Sequence, residues 1–469
     1  MWAGSGVAFL CHVEKSALQE LESETASSPD VKRQHELPRT PDRGEKATEQ
    51  AEDKFVTGAS FFAFDRPLAA VGRLFGSAPA TRDFSVVQIG NSVQSIHGLL
   101  LGGGSVFGLD AVGGLVEFQR KRGIGVSTIA GPIPVCPALG IFDVPALAPD
   151  SSFPASSACA LPQFVKSEDV ATACAEAERR RVAGPASAPE SDSGDRRRER
   201  GGEKERSVPP AVAPLRVRCR FHSSGSVSTV VAASAPSEQA SPASAGTSRE
   251  EIDPVPVLST LPEETVSWIG SVGVGVGATC ARVGECAGFA PRKGGWGEAS
   301  RYRAWRGELA RDKATGTGND ETLKVQAFVV VNSYGDVVAT GKDSENAVVA
   351  GPLKNGVTFA ASELLQKADH TFLPLSLQPQ ATTLVAVFTN LDLSRDALWR
   401  VAAMAGAGMA RAIHPVFSPV DGDAVIAVST GELTHGDTDP TLSEIIVGTM
   451  AAECVAEAIQ RAAAVANKL

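Results

Sequence analysis

The two threonines in LQPQATTLVAVFTN, Leu377 to Asn390, are residues whose setting could do chemistry. A polar, proline-containing tether leads to Thr382 and Thr383, and an apolar run of strand length, Leu384 to Phe388, follows them. A threonine hydroxyl is a poor nucleophile unless a base lies beside it. The residue's own α-amine can be that base once it becomes a chain terminus. Such an amine titrates near 7.7–8.0, so a useful fraction is unprotonated at neutral pH. An internal threonine acquires the amine if its hydroxyl attacks the preceding carbonyl and the resulting ester hydrolyses. A small Ala381, a flexible tether and a rigid strand suit a cut between Ala381 and Thr382. An ordinary strand start is the commoner meaning of such a layout, and composition alone does not select the cut over it.

Other candidates are also open to two readings. Asp421 and Asp423 in PVDGDAVIAV are either a bare turn or two carboxylates fixed at a strand mouth to orient a cationic group. Two ligands are too few for a calcium site. Asn332 ends the run FVVV, where it is turn chemistry or a donor aimed at an oxyanion. LGGGSVFGLDA lacks the GK[ST] ending of a phosphate loop and does not fit GxGxxG. Ser105 is not in GxSxG, because Phe107 occupies the last position. That run reads as a tight turn into a helix, or as a backbone-amide surface around Gly104 and Ser105 near a substrate. His97 and His414 are solitary, so no Ser/His/Asp or Cys/His triad is expected. Cys280 and Cys286 have no matching pair downstream. No metal, cofactor or disulfide framework is expected.

The elements that must position these residues come in two patterned blocks. The first covers residues 84–144, with a glycine turn, a helix from Val106 to Arg122 and a buried strand ending at Asp143. The second begins at ETVSWIGSVGVGVGATCARVG and continues to the end. It contains two strands in QAFVVVNSYGDVVAT with a turn at Tyr334–Asp336, then the strand LVAVF and a helix from Ser394 to Ala412. The strand DAVIAVST and a long final helix close it. Strands followed by long helices, without regular βαβ alternation, predict an α+β layered fold. Between the blocks, residues 165–254 are rich in Pro, Ser, Ala and blocks of charge. Residues 1–55 carry little apolar periodicity. Both segments are expected to be disordered. That leaves catalytic-domain parts at 56–164 and 255–469.

A net charge of −10 and a pI near 5.4 disfavour nucleic acid as a partner. No apolar run reaches the roughly 18 residues of a membrane span, and the start lacks a basic n-region. No membrane association and a cytoplasmic location are therefore expected.

The segments GGGSVFGLDAVGGLVEFQRKRGIGV, PALGIFDV, GVGVGATCARVG, RKGGWGEAS, FVVVNSYGDVV, ATTLVAVFTN and MARAIHPVFSPVDGDAVIAVST occur in an order with a family likeness. With the Ala-rich final helix, the set resembles the self-processing L-aminopeptidase/D-esterase family, nearest the branch of endo-type 6-aminohexanoate-oligomer (nylon oligomer) hydrolases. The resemblance implies an αββα four-layer sandwich of the N-terminal-nucleophile type. It also implies self-cleavage between Ala381 and Thr382, and homo-oligomers of the cleaved unit. By resemblance Thr382 is the nucleophile and Asn332 positions the oxyanion or substrate. Asp421 and Asp423 would hold and polarise the new α-amine, Asp423 being the closer.

The chain departs from relatives at three positions. Arg282 stands where close relatives carry Lys; it stabilises negative charge but cannot act as a base. Ala381 replaces an Asn found in many, and Phe142 replaces a Tyr found in some, so it brings no hydroxyl. The opening strands usual in relatives have no counterpart recognised before Phe84. The expected function is an N-terminal-threonine amidohydrolase or aminopeptidase acting on small peptides, amino-acid amides or linear amino-acid oligomers. Catalytic roles are expected for Thr382, Asn332, Asp423, Asp421 and Arg282, with Phe142, Gly104 and Ser105 lining the substrate pocket. An inactive scaffold of the same fold and an acyltransferase on a related fold are the alternatives.

Overall fold

The computed structural model describes residues 7–16, 55–143, 164–183, 215–221, 227–232, 269–305, 321–340, 347–368, 380–436 and 438–468. In chain order its main elements are β1 (Val7–Ser16), β2 (Phe55–Leu74), β3 (Ser95–Gly102), α1 (Val112–Lys121), β4 (Ala138–Gly140), α2 (Ser167–Ala183), β5 (Leu215–Phe221) and β6 (Val227–Ala232). Then come β7 (Gly295–Trp305), β8 (Glu321–Asn332), β9 (Asp336–Val338), α3 (Ala361–Gln366), β10 (Thr382–Leu391), α4 (Arg395–Ala412), β11 (Ala424–Leu433) and α5 (Pro440–Asn467). The fold is mixed α/β.

Hydrogen bonding runs β7-β8-β10-β11-β2-β1-β5-β6, with β3 also on β2 and β4 on β3. The long strand β2 serves three apolar layers. Phe61 and Ala63 face one outer apolar layer, and Phe62, Phe64, Leu68 and Ala70 face a middle one. Val71 faces a second outer layer. The ladder to β3 shifts register between Ala63 and Leu68, where Asp65, Arg66 and Pro67 are exposed. On either side of that break Phe62, Phe64, Leu68 and Ala70 face the same middle layer, while the opposite face passes from the first outer layer to the second.

Strands covered on both faces should be apolar where they are covered, and the middles of β8 (Ala327–Val331) and β10 (Leu384–Phe388) are. In β10, Val385 and Val387 join the layer under α4 and α5, while Leu384, Ala386 and Phe388 join the middle layer. There Phe388 meets Phe62 and Phe328 at ring-centroid distances of 5.0 and 5.8 Å. Ser394 caps α4 by accepting from the Ala397 N–H at 3.2 Å. Asp439 caps α5, with Pro440 at its first position. The two helices approach closely because a Cβ on Gly408 would lie 2.3 Å from the Ala452 carbonyl oxygen. The predicted helix of the first block opens as a tight 3-10 turn, Ser105–Ala111, before α1 begins.

The expected disorder of residues 1–55 fails at residues 7–16. Strand β1 alternates Phe9, Cys11 and Val13 toward the α1/α2 layer with Leu10 toward the middle layer. With β2, it supplies strands ahead of Phe84, where no counterpart of the relatives' opening strands was recognised in the sequence. The expected disorder of 165–254 fails at three elements. In α2, Val170, Ala173, Cys174 and Ala177 form an apolar stripe. Strand β5 pairs in parallel with β1, and β6 pairs with β5. Its Val217 and Cys219 enter the core, while Arg218 reaches buried Glu14 at 2.7 Å and Arg216 reaches Glu298 at 2.7 Å. Burial of these charges is tolerable because each is paired. Residues 1–6, 17–54, 184–214, 222–226 and 233–254 of these two segments lie outside the described residues.

Candidate active site

Strand pairing assembles the site. In the antiparallel β8–β10 ladder, Asn332 lies opposite Thr382. On the other side β10 runs parallel to β11, and an isolated bridge joins Ala381 to Asp421. The loop carrying the two acids therefore wraps the Ala381–Thr382 junction. It is tied down from behind by the end of β2: Phe75 donates to the Asp423 carbonyl and Ala78 to the Asp421 carbonyl, at 2.8 and 2.9 Å.

The junction is enclosed and held at three backbone points. Ala381 donates its N–H to the Val420 carbonyl at 3.1 Å, and its carbonyl accepts from the Gly422 N–H at 2.8 Å. The Thr382 hydroxyl donates to the same Ala381 carbonyl at 2.5 Å. This places the hydroxyl against the peptide group that self-cleavage would break, with an amide already polarising that carbonyl. Gly422 is required by space. A Cβ there would fall 2.6 Å from the Ala78 carbonyl oxygen and 2.7 Å from Thr382 Oγ1.

Asn332 is fully buried and spends its amide on orientation. Its Oδ1 accepts from the Thr279 N–H, and its Nδ2 donates to the Phe142 carbonyl, both at 3.0 Å. Arg282 donates through Nη1 to that same Phe142 carbonyl at 3.0 Å and to the Gln380 carbonyl at 2.6 Å. Its Nε meets Glu285 at 3.1 Å. Phe142 thus contributes its backbone oxygen, with the Arg282 guanidinium 5.9 Å from its ring centre.

Asp423 accepts from the Thr383 N–H at 2.6 Å and the Phe417 N–H at 3.2 Å. Asp421 accepts from the Ser418 hydroxyl and amide at 2.5 and 2.9 Å. Burial raises the pKa of Asp423, and the Asp421 carboxylate raises it further. Burial also raises Asp421, against the bonds from Ser418. The pair therefore resists carrying two full charges at neutral pH.

Residues 256–469 match peptidase family S58. A 70-residue stretch is 39% identical to an uncharacterized aminopeptidase of Mycobacterium tuberculosis, covering 15% of this chain and 20% of that protein. A 69-residue stretch is 35% identical to an uncharacterized aminopeptidase of Mycobacterium leprae, covering 15% and 19%. The chain thus spans about a fifth of the length of these relatives. A beta-aminopeptidase of Burkholderia sp. superposes with a TM-score of 0.43 at 15% identity, over 88% of this chain and 81% of that one. The l-aminopeptidase d-ala-esterase/amidase of Ochrobactrum anthropi gives 0.43 at 15%, over 90% and 80%.

Gly104 and Ser105 stand one step behind the junction. The Gly104 N–H donates to Asp143 Oδ1 at 2.5 Å, and Ser105 donates its N–H to Ile141 at 2.8 Å. Both adopt left-handed backbone angles, φ 88° and 56°. Asp143 was not singled out by sequence. It accepts from Thr57 as well, at 2.9 Å, and burial pushes its pKa up to about 6. Its position just after Phe142 at the end of an apolar strand was the available signal. Val420 and Gly422, which grip the junction, carried no signal beyond their place beside the acids. His97 is structural: its Nδ1 accepts from the Val135 N–H at 3.0 Å. Among the described residues no group of three or more His, Cys, Asp or Glu could hold a metal ion, and no helix is long and apolar enough to cross a membrane.

Proposed function

We propose that this protein is a self-processing amidohydrolase of the S58 type, built as an αββα sandwich, with Thr382 as its nucleophile. The single observation that carries the reading is the Ala381–Thr382 junction, where hydroxyl, polarised carbonyl, Asn332 and paired acids meet at the mouth of one strand.

In self-cleavage, Thr382 Oγ1 bonds to the Ala381 carbonyl carbon and the Ala381–Thr382 C–N bond breaks. The hydroxyl proton passes to the departing nitrogen, which becomes the α-amine of Thr382. Water then splits the ester, leaving a carboxyl on Ala381 and restoring the hydroxyl. In turnover Thr382 Oγ1 bonds to the substrate's acyl carbon as the amine takes its proton. The amine returns that proton to the leaving amine as the C–N bond breaks. Water then hydrolyses the ester to free the acyl group and restore the hydroxyl. Asn332 Nδ2, released from the Phe142 carbonyl or shared with it, stabilises the tetrahedral oxyanion. Asp423 and Asp421 flank the new amine and hold it in place. Arg282 adds fixed positive charge beside the acyl group. Substrates are small peptides, amino-acid amides or linear amino-acid oligomers.

The test is intact mass and N-terminal sequencing of purified protein beside Thr382→Ala. The expected result is a small fragment beginning Thr-Thr-Leu-Val-Ala, absent from the variant. A folded chain that remains uncut after long incubation would leave an uncleaved scaffold as the better reading.

A further inference from the structure

Two donors at the strand mouth share one acceptor. Asn332 Nδ2 and Arg282 Nη1 both bond to the Phe142 carbonyl, each at 3.0 Å. That oxygen belongs to the peptide unit joining Phe142 to Asp143, so whatever fixes this unit fixes the aim of both donors. Strand β4 ends at Gly140. Ile141 is still held by backbone, its N–H donating to the Gly102 carbonyl at 2.9 Å and its carbonyl accepting from Ser105 at 2.8 Å. Beyond it the Asp143 side chain ties the chain down.

The carboxylate sits in a niche opened by glycine. Its Oδ1 accepts from the Gly104 N–H at 2.5 Å and its Oδ2 from the Thr57 hydroxyl at 2.9 Å. A Cβ on Gly103 would lie 2.4 Å from Oδ2 and 2.3 Å from Thr57 Oγ1, so glycine there is what admits the side chain. Both oxygens accept, which is the pattern of an ionised acid. Thr57 on β2 and the Gly104 amide face it as neutral donors. Arg282 is the charged group acting on it, favouring the carboxylate against the cost of burial, and Arg282 is itself paired with Glu285 at 3.1 Å. Protonation would reverse or break the Thr57 bond and remove the negative charge that answers Arg282.

We propose that Asp143, as a carboxylate, is a positioning residue that locks the Phe142–Asp143 peptide and so keeps Asn332 and Arg282 aimed at the Ala381–Thr382 junction. This rests on the self-processing reading above. The hydrogen bonds of Asp143 go to Thr57 and Gly104 rather than to reacting atoms, so it acts through the Phe142 carbonyl. Its charge makes the cut sensitive to acid. Burial pushes its pKa up to about 6, so the carboxylate prevails at neutral pH and gives way in mild acid.

The experiment times the cutting of the chain itself. Full-length protein is made by cell-free translation with a labelled amino acid, moved after a short pulse into buffers from pH 5 to 8, and its conversion to fragments is followed on gels. The wild-type rate should fall by about tenfold per pH unit below a limb near 6. Asp143→Asn resembles the protonated acid. It should be cut about ten- to a hundredfold more slowly at pH 7.5 and show no limb near 6. Thr57→Val removes a hydrogen bond that favours the carboxylate, so its limb should move to higher pH, while Thr57→Ser should leave it in place. A purely structural part for Asp143 would not move the limb. The Asp421–Asp423 pair also titrates, and a limb belonging to it would survive in Asp143→Asn. Survival of the limb in Asp143→Asn, or a wild type cut at one rate from pH 5 to 8, would overturn the proposal while leaving self-processing intact. Absence of any cut in wild type at every pH would instead overturn the reading on which it rests. Should Asp143→Asn fail to fold, a Thr57→Val limb that stays at the wild-type position would overturn the proposal.

Discussion

Asn332 and Thr382 face one another across the β8–β10 ladder, each at the point where its strand meets a loop. The relationship fixes Asn332 relative to the Thr382 backbone through a rigid antiparallel pair rather than through a mobile loop. Asn332→Ala removes the amide and leaves the Thr279 N–H without its acceptor, while the Phe142 carbonyl keeps Arg282. A loss of about 1–3 kcal/mol of stability is expected from the orphaned N–H. If Asn332 is the oxyanion donor proposed above, turnover should fall by about two to three orders of magnitude. Urea unfolding and steady-state kinetics separate the two effects.

Under the proposed self-processing, Gly422→Ala should block the cut between Ala381 and Thr382. Its Cβ would press on Thr382 Oγ1 at 2.7 Å and on the Ala78 carbonyl at 2.6 Å, so the loop must move and carry the Gly422 N–H away from the Ala381 carbonyl. Gel analysis of the purified variant over time is the check. A variant cut as completely as wild type would show that this amide has no part in the step.

Stability should decline as pH rises through the neutral range, because several buried acids resist ionisation. Asp336 is the simplest to isolate. Burial pushes its pKa up to about 7, although its Oδ2 accepts from the Ala361 N–H at the start of α3, at 2.6 Å. Between the ordinary carboxylate value near 4 and about 7 the folded state binds the extra proton, so the unfolded state gains as pH rises. The slope is at most about 1.4 kcal/mol per pH unit in that window. Asp336→Asn keeps an acceptor for Ala361 but cannot ionise. Its stability relative to wild type should therefore increase from pH 4 to pH 7, as read from melting temperatures across buffers.

Phe388→Ala should cost about 3–5 kcal/mol, the usual range for deleting a large buried ring. Phe388 joins Phe62 of β2 to Phe328 of β8 within the middle apolar layer, so the cavity would open between the layers. Denaturant unfolding measures it, with an unchanged m-value expected.

Deleting residues 1–16 should prevent soluble folding. Strand β1 lies between β2 and β5, and its Phe9, Cys11 and Val13 are fully buried. Expression of the truncated chain, followed by sedimentation of the lysate, tests this directly.

Thr382, Asn332, Asp421 and Asp423 stood out as candidates because each borders a strongly apolar strand, but spacing left each open and only the family resemblance gave them roles. The ladder then brings them together without further instruction. Sequence reasoning missed β1, α2 and β5, whose periodic signals are short and sit within charge-rich sequence. LRVRCRF alternates as a strand should, yet its arginines read as part of a solvated charge block until Glu14 and Glu298 are placed opposite them. The partners lie far away along the chain, so no local window contains both halves of the pattern. Asp143 escaped for the same reason: its meaning comes from Thr57 and Gly104.

The passage of β2 through all three layers bears on what can be cut out of this protein. The family match begins at residue 256, yet β11 within it takes β2 as its neighbour on the side away from β10. A fragment starting at 256 would expose an unpaired strand edge and the inward faces of Phe328 and Phe388 to water. Such a fragment would associate through that edge rather than stand alone. The stretch that carries the family signature is thus not a separable folding unit. Its cooperativity depends on a strand contributed by sequence outside that match.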